Sequence, residues 1–287
     1  MRAKHGLLPP VGRKARRRVL AYVILVTLSI PFAFPLIWAL ATSLQTVDEV
    51  FSGSLIQAPG DPQWENYREI FEYLPLGRFL FNTVCIVSLV IAGEVLTAPL
   101  VAYAFARLRF PFRNTLFVVM LSTLMLPPII TTIPAYIFYS KLGWVDTWIP
   151  LILPGWLGGG AFNIFILRQF FLTVPRDLED AAKMDGCSNF GTYFRIFLPL
   201  AFPAIATIGV LSFVNHWNNF EGPLIYLSTL DTFPIALGIN MFKDAYSAIA
   251  PHYLMAASVV SLAPLLLLFL AIQRVFVEGI ILSGIKG

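Results

Sequence analysis

The chain has 287 residues, 57% of them hydrophobic and 13% charged, with mean hydropathy +0.76 and net charge +4. A soluble domain carries about 25% charged residues, so there is too little charge here to coat a globule, and the bilayer serves as solvent for much of the surface. The small basic excess reads as a topology signal rather than a nucleic-acid footprint. Two cysteines, Cys85 and Cys187, exclude a disulfide framework, and His5, His216 and His252 are too scattered for a metal cluster.

Residues 1–18 form a basic tail suited to anionic headgroups. A spanning helix needs about 20 mostly apolar residues, and the first such run is 19–42. Its basic flank resembles a signal peptide. The run is too long for one, however, and no small-residue cleavage site follows, so it reads as an uncleaved first span. An external loop over 43–78 carries a short amphipathic pattern at Trp64, Tyr67, Ile70 and Phe71. Further spans are expected at 79–104, 114–138, 147–171, 201–224 and 254–276, with a charged module at 174–200 and a C-terminal tail at 277–287. This is an all-α membrane protein of six transmembrane helices.

Interior prolines recur in these spans (Pro31, Pro35, Pro99, Pro127, Pro128, Pro134, Pro154 and others), and Gly158, Gly159 and Gly160 interrupt the fourth. Each interior proline frees a carbonyl that neighbouring helices, side chains or water must satisfy. Two readings stand for the set: kinked helices around a cavity, or the ordinary abundance of proline in membrane helices. Of the 20 Lys and Arg residues, all but Arg68, Arg78, Lys141 and Lys243 fall on one side, and the positive-inside rule puts both termini in the cytoplasm.

The module VPRDLEDAAKMDGCSNFGTYFRIFLPLAFP begins at Val174. Asp177 is a candidate helix cap, and Asp177, Glu179 and Asp180 suit the positive end of a helix dipole. Leu178, Ala181, Ala182 and Asp185 fall at i, i+3, i+4 and i+7, which makes a narrow face for close approach by another surface. Gly186 offers a left-handed ending. A second helix then resumes, with Phe190, Tyr193, Phe194 and Phe197 on one side, and is expected to run unbroken into the fifth span. Docking by a partner and simple packing on headgroups both fit this pattern.

Asp180-Ala181-Ala182, then Gly186, then Ile196, Leu198 and Pro199 resemble the EAA loop of ABC importer permeases, in which E-A-A, three residues, G, nine residues and I-x-L-P follow one another. Asp180 stands where that family has Glu, one methylene shorter. Tyr103-Ala104-Phe105-Ala106-Arg107 before Phe110-Pro111 is similar to the end of the second span in these permeases. Trp217-Asn218-Asn219-Phe220 with Pro223-Leu224, and the ending Gly284-Ile285-Lys286-Gly287, resemble the carbohydrate-uptake branch of the maltose MalG type. The likeness covers about residues 15–287.

It implies a type I (MetI-like) permease domain over 79–276 in a prokaryotic inner or cytoplasmic membrane. The partners it implies are a second, different permease in a heterodimer, two ATPase subunits holding ATP and Mg, and an extracytoplasmic solute-binding protein. The cargo it implies is a sugar, an oligosaccharide or a derivative such as a glycerophosphate. Leu178, Asp180, Ala181, Ala182, Asp185, Gly186, Ile196, Leu198 and Pro199 become candidate ATPase-coupling residues. Ile285, Lys286 and Gly287 become a candidate tail at the ATPase interface.

No G-x-x-x-x-G-K-[ST] phosphate loop is present, so the chain is not an enzyme that hydrolyses ATP by itself. Energy comes from a partner or from an ion gradient. Glu94 lies mid-span, where a bare carboxylate costs about 2.5–3.5 kcal/mol; it reads either as a proton or substrate site or as a buried hydrogen-bonded structural group. Asn163, Asn215, Trp217, Asn218, Asn219 and Glu221 are candidates for the translocation path, the other reading being hydrogen bonding between helices. The alternative to an import permease is a self-sufficient proton-coupled transporter using Glu94; a receptor or scaffold that moves no solute is a third class.

Overall fold

The computed structural model describes residues 11–52, 58–246 and 249–284. Among these residues every regular element is a helix. The chain divides into two compact units, residues 1–72 with 245–260, and residues 73–244 with 261–287.

In the first unit, α1 (Val11–Ser43) carries Pro31 and Pro35 in its interior and exposes its apolar side chains from Val19 to Ile37. A helix apolar all round is matched to lipid or to a partner helix rather than to water. Below it, the buried Asn66 donates to the carbonyls of Ser43 and Gln45, each at 3.0 Å, and the hydroxyls of Ser43 and Tyr67 meet at 2.7 Å. Helix α2 (Val47–Phe51) opens with a reciprocal cap, Glu49 N donating to Thr46 Oγ1 and Thr46 N to the Glu49 carboxylate. The backbone N–H groups of Thr46 and Gly60 hold the Glu49 carboxyl below the usual carboxylate range. Helix α3 (Asn66–Tyr73) buries Ile70 and leaves Trp64, just before it, exposed.

The second unit is organised around α4 (Leu76–Arg107), a 32-residue helix packed against α7 (Ile149–Trp156), α8 (Ala161–Thr173) and α12 (Phe202–Trp217). Between lipid-bathed helices, association depends on close packing rather than on escape from water, and small residues permit it. Ala98, Ala102 and Ala106 of α4 accordingly lie in the core with Ile164, Leu167, Phe171 and Ile208. The break between α7 and α8 holds Gly159 at φ +72°, where a Cβ would stand 2.6 Å from Ala98 Cβ. Only glycine fits both the left-handed turn and that approach.

Among the described residues four helices are long and apolar enough to cross a membrane: Ala15–Ser43, Leu76–Arg107, Ile149–Thr173 (α7 with α8) and Pro251–Gln273, the last within α15 (Pro251–Gly284). Two further spans are bent pairs. Helix α5 (Arg113–Ser122), with a following turn to Met125, meets α6 (Pro128–Lys141) at 100°, and the break falls at Leu126–Pro127. Two consecutive prolines there remove backbone donors, and Pro128 restarts the helix from its N-terminus.

The second bend corrects an expectation. The chain after Gly186 does not run straight into the fifth span. Helix α9 (Arg176–Met184) is followed by α10 (Asn189–Thr192), a π turn (Tyr193–Phe197) and the short α11 (Leu198–Leu200), and α12 then departs at 71° beyond Ala201. Pro199 and Pro203 sit on either side of the break, and the widened turn resets the helical phase. As a result the four aromatics do not share a side: Tyr193 and Phe197 are buried against Tyr103 and Phe171, while Phe190 and Phe194 are exposed.

At the other end of this unit, α13 (Glu221–Tyr226) leads to a loop tied down by Asp146, and α14 (Ile235–Tyr246) follows. The Asp146 carboxylate accepts from the backbone N–H groups of Ser228 (2.8 Å) and Thr229 (2.9 Å) and from the Thr229 hydroxyl. These donors, the Thr229 hydroxyl foremost, pull its pKa down to about 2. Asn82 of α4 supports the same loop by donating to the carbonyls of Asp231 (2.8 Å) and Phe233 (2.9 Å).

Candidate functional site

The charged module folds into a short helix with one anchored face. Asp177 does not cap α9; Pro175 occupies the cap position without a side-chain bond, and Asp177 lies in the first turn, where the dipole still favours it. Gly186 closes the helix at φ +79°, with its N–H donating to the Lys183 carbonyl (3.0 Å) and Cys187 N to the Ala182 carbonyl (2.9 Å). Leu178, Asp180, Ala181, Met184, Asp185 and Gly186 face outward, Met184 being 89% exposed, while Glu179 and Ala182 are buried. The small-residue face read from the sequence is therefore divided: Ala182 looks inward and Leu178, Ala181 and Asp185 look outward. Ile196 and Leu198 are half-buried against the core, and Pro199 is exposed at the bend.

What anchors α9 is Arg107, the last residue of α4, with a side chain only 4% exposed. Its guanidinium donates to the carbonyls of Phe171 and Val174, where α8 ends, and lies over the Phe197 ring at 4.9 Å. Its Nη1 stands 3.7 Å from Glu179 Oε2, and Lys183 Nζ donates to Glu179 Oε1 at 2.7 Å. One cation thus links the ends of α4 and α8 to the buried face of α9. In a low-dielectric site such a group holds its geometry, because separating the partners leaves a buried charge uncompensated. Sequence reasoning placed Glu179 only as a first-turn acid. Its partner was visible as the one cation closing a 32-residue apolar helix, and its own burial as the i, i+3 pairing with Ala182.

A second polar cluster lies mid-span. Glu94 is buried, with Oε2 accepting from Asn163 Nδ2 (3.2 Å) and from the Ser212 hydroxyl, and Oε1 standing 3.0 Å from His216 Nε2. The carboxylate therefore joins α4, α8 and α12, and it is fully hydrogen-bonded as intramembrane acids are. Asn163 also donates to the Gly159 carbonyl at 2.8 Å, bracing the break in the fourth span.

The other path candidates disperse. Trp217 is buried, stacked on Phe213, with its indole N–H donating to the Ser261 carbonyl at 3.2 Å. Asn218 is exposed and donates to the Val214 carbonyl (2.8 Å), Asn219 accepts from Gly222 N (3.1 Å), and Asn215 and Glu221 are exposed. Ile285, Lys286 and Gly287 lie outside the described residues. Among the described residues no group of three or more His, Cys, Asp or Glu side chains converges in the manner of a metal site.

Among the described residues the protein is polytopic and all-helical, with broken spans and a charged helix held at their ends. Residues 95–281 match the family of binding-protein-dependent transport system inner membrane components, and the chain belongs to that family as the permease subunit of an ABC importer. It is 33% identical to the sulfoquinovosyl glycerol transport system permease protein SmoH of Agrobacterium fabrum, over 88% of this chain and 89% of that one. It is 34% identical to the arabinooligosaccharides transport system permease protein AraQ of Halalkalibacterium halodurans, over 88% and 91%. Its fold is that of one chain in the crystal structure of a bacterial ABC transporter involved in the import of the acidic polysaccharide alginate, with TM-score 0.78, 21% identity and coverage of 93% and 99%. Family membership does not favour the self-sufficient proton-coupled transporter.

Proposed function

We propose that this chain forms half of the translocation path of an ATP-driven importer for a sugar, an oligosaccharide or a derivative such as a glycerophosphate, with both termini in the cytoplasm. A second permease supplies the other half, two ATPase subunits hold ATP and Mg, and a solute-binding protein delivers the cargo outside. The domain that couples these parts extends over 79–276. Relatives named for sulfoquinovosyl glycerol and arabinooligosaccharides support the carbohydrate class; the narrower maltose MalG type is not needed for it.

The observation that carries the coupling role is the two-sidedness of α9. Glu179 and Ala182 fasten it to its own chain, while Leu178, Asp180, Ala181, Asp185 and Gly186 are left for an ATPase cleft. Closure of the ATPase pair on ATP then drags α9, and Arg107 carries the displacement into α4 and α8 while Ile196, Leu198 and Pro199 carry it to the bend before α12. Such coupling is reciprocal: a docked binding protein biases the ATPases by the same free energy. Asn163, Asn215, Trp217, Asn218, Asn219 and Glu221 are proposed to border the path or its partner permease, and Ile285, Lys286 and Gly287 to reach the ATPase pair.

The test is copurification and crosslinking in the assembled complex. Cysteine at Leu178 or Ala181 is expected to crosslink to the ATPase subunit, and Asp180→Lys to lower its recovery by about fivefold, since exposed charge pairs contribute up to about 1 kcal/mol each. Crosslinks to lipid alone, or uptake by the isolated chain without an ATPase, would overturn the reading.

A further inference from the structure

Beside α9 the second unit opens a cleft of about 1120 Å³ between this helix and the connection from α4 to α5. Its walls carry Arg107, Arg109, Arg113, Arg176 and Lys183 against Glu179 and Asp180. Arg107 and Lys183 are already committed to Glu179; among the described residues no carboxylate pairs with Arg109, Arg113 or Arg176. The cleft is thus a cationic basin with three unpaired arginines against the single unpaired acid, Asp180. At Leu108 and Asn189 it shares its wall with a second groove, of about 370 Å³, whose other walls are Leu100, Val101, Tyr103, Ala104, Phe190 and Tyr193. That groove is almost wholly apolar and climbs α4 toward the middle of the span. Phe112, 78% exposed at φ +59°, stands at the rim of the basin, and Leu116, Val118 and Val119 continue the apolar surface along α5.

A cationic basin that passes into an apolar groove at the end of membrane helices has the charge and the polarity gradient of one ligand class. We propose that this paired cavity seats an anionic phospholipid, its phosphate on Arg109, Arg113 and Arg176 and an acyl chain against Leu100, Val101 and Ala104. Basic pockets between membrane helices on the cytoplasmic side are suited to such headgroups. The lipid would lie against both the root of α9 and Tyr193 of the π turn, so that it braces the part of the chain that must move. The proposal rests on the cytoplasmic placement of α9 given above.

The complete transporter, reconstituted in nanodiscs of phosphatidylcholine doped with phosphatidylglycerol, is examined by native mass spectrometry for retained lipid. The wild type is expected to retain phosphatidylglycerol selectively. Arg109→Gln/Arg176→Gln is expected to lower that retention by about tenfold or more, each surface cation contributing about one decade or a little less. Arg78→Gln/Lys141→Gln, which removes two cations outside the basin, is expected to leave retention unchanged. Ala104→Phe, which narrows the groove without touching the charges, is expected to lower it as well. Equal retention in the Arg109/Arg176 variant overturns the proposal. So does displacement of the lipid by glycerophosphate lacking acyl chains at equal concentration, which would leave only an anion subsite. A cysteine at Arg109 that crosslinks to an ATPase subunit instead of a photoactivatable phosphatidylglycerol overturns it in favour of a protein occupant. ATP-dependent uptake by the wild type in sealed vesicles containing phosphatidylglycerol reports the permease role separately, so failure of lipid binding and failure of the transport reading give different results.

Discussion

Glu94 and Glu179 are both buried carboxylates that join α4 to other helices, yet they are satisfied in opposite ways. Glu94, mid-span, is met by an amide, a hydroxyl and an imidazole. Glu179, at the membrane edge, is met by a guanidinium and an ammonium. Partners without a permanent charge suit the interior because no second fixed charge has to be stripped of water there. At the edge, long basic side chains reach solvent or carbonyls while their heads pair with the acid. The first arrangement knots three helices together; the second ties α9 to the ends of α4 and α8.

Breaking the edge pair is expected to have the largest effect. Arg107→Ala leaves Glu179 buried beside Lys183 alone and strands the Phe171 and Val174 carbonyls, a loss of about 3–5 kcal/mol. The purified complex should melt earlier and transport nothing. Arg107→Met/Glu179→Leu should recover the part of the stability lost to the uncompensated charge, but not the part due to the Phe171 and Val174 carbonyls, nor the coupling of ATP hydrolysis to uptake. Recovery of both would make the pair a packing element only.

Gly186→Val comes next. No atom lies within 4 Å of an added Cβ, so the cost is confined to the backbone at φ +79°, about 1–3 kcal/mol of local strain. The membrane domain should insert normally while uptake collapses; normal uptake with normal ATPase recruitment would count against the role of α9.

For the mid-span cluster, Glu94→Gln keeps the shape and puts an amide against three donors, at a cost of about 1–3 kcal/mol. ATP-driven uptake should persist at a lower rate with unchanged stoichiometry. Abolition of uptake with ATPase activity intact would restore a direct role for the carboxyl.

The smallest effect belongs to Asp146. With its carboxyl lowered to about 2, its contribution is fully present above the ordinary value of about 4 and fades only as pH falls through about 2. Exchange protection of the Ser228 and Thr229 amides should therefore be the same at pH 7 and pH 5, and should fall at neutral pH in Asp146→Ala. A loss of protection already at pH 5 would show that the loop is held elsewhere.

These two carboxylates also mark how far the sequence could be read. The spans follow from runs of apolar residues, and α9 with its glycine ending follows from local chemistry at Asp177, Glu179 and Gly186. Period and composition do not report partners distant in the chain. Arg107 stands out as the cation ending an apolar helix, but Arg107 and Glu179 are far apart in sequence, and Ser212 and His216 lie farther still from Glu94, so the pairings themselves had no local signature. The bend at Ala201 escaped for a different reason. Pro199 and Pro203 announce an irregularity, but whether it is a mild kink or a sharp turn depends on the π turn at Tyr193–Phe197, which is stabilised by Tyr103 and Phe171 from other helices.

That bend alters the mechanics of the molecule. A straight shaft moved from below would slide along its own axis and leave the pore wall unturned. If α9 is moved by the ATPases as proposed, an angled shaft would behave as a crank: a small sideways stroke of α9 would become a swing of α12, with an amplitude that grows with distance from Ala201. Ser212 and His216 lie well along that arm, so the hydrogen bonds they share with Glu94 are among the first that such a swing would stretch.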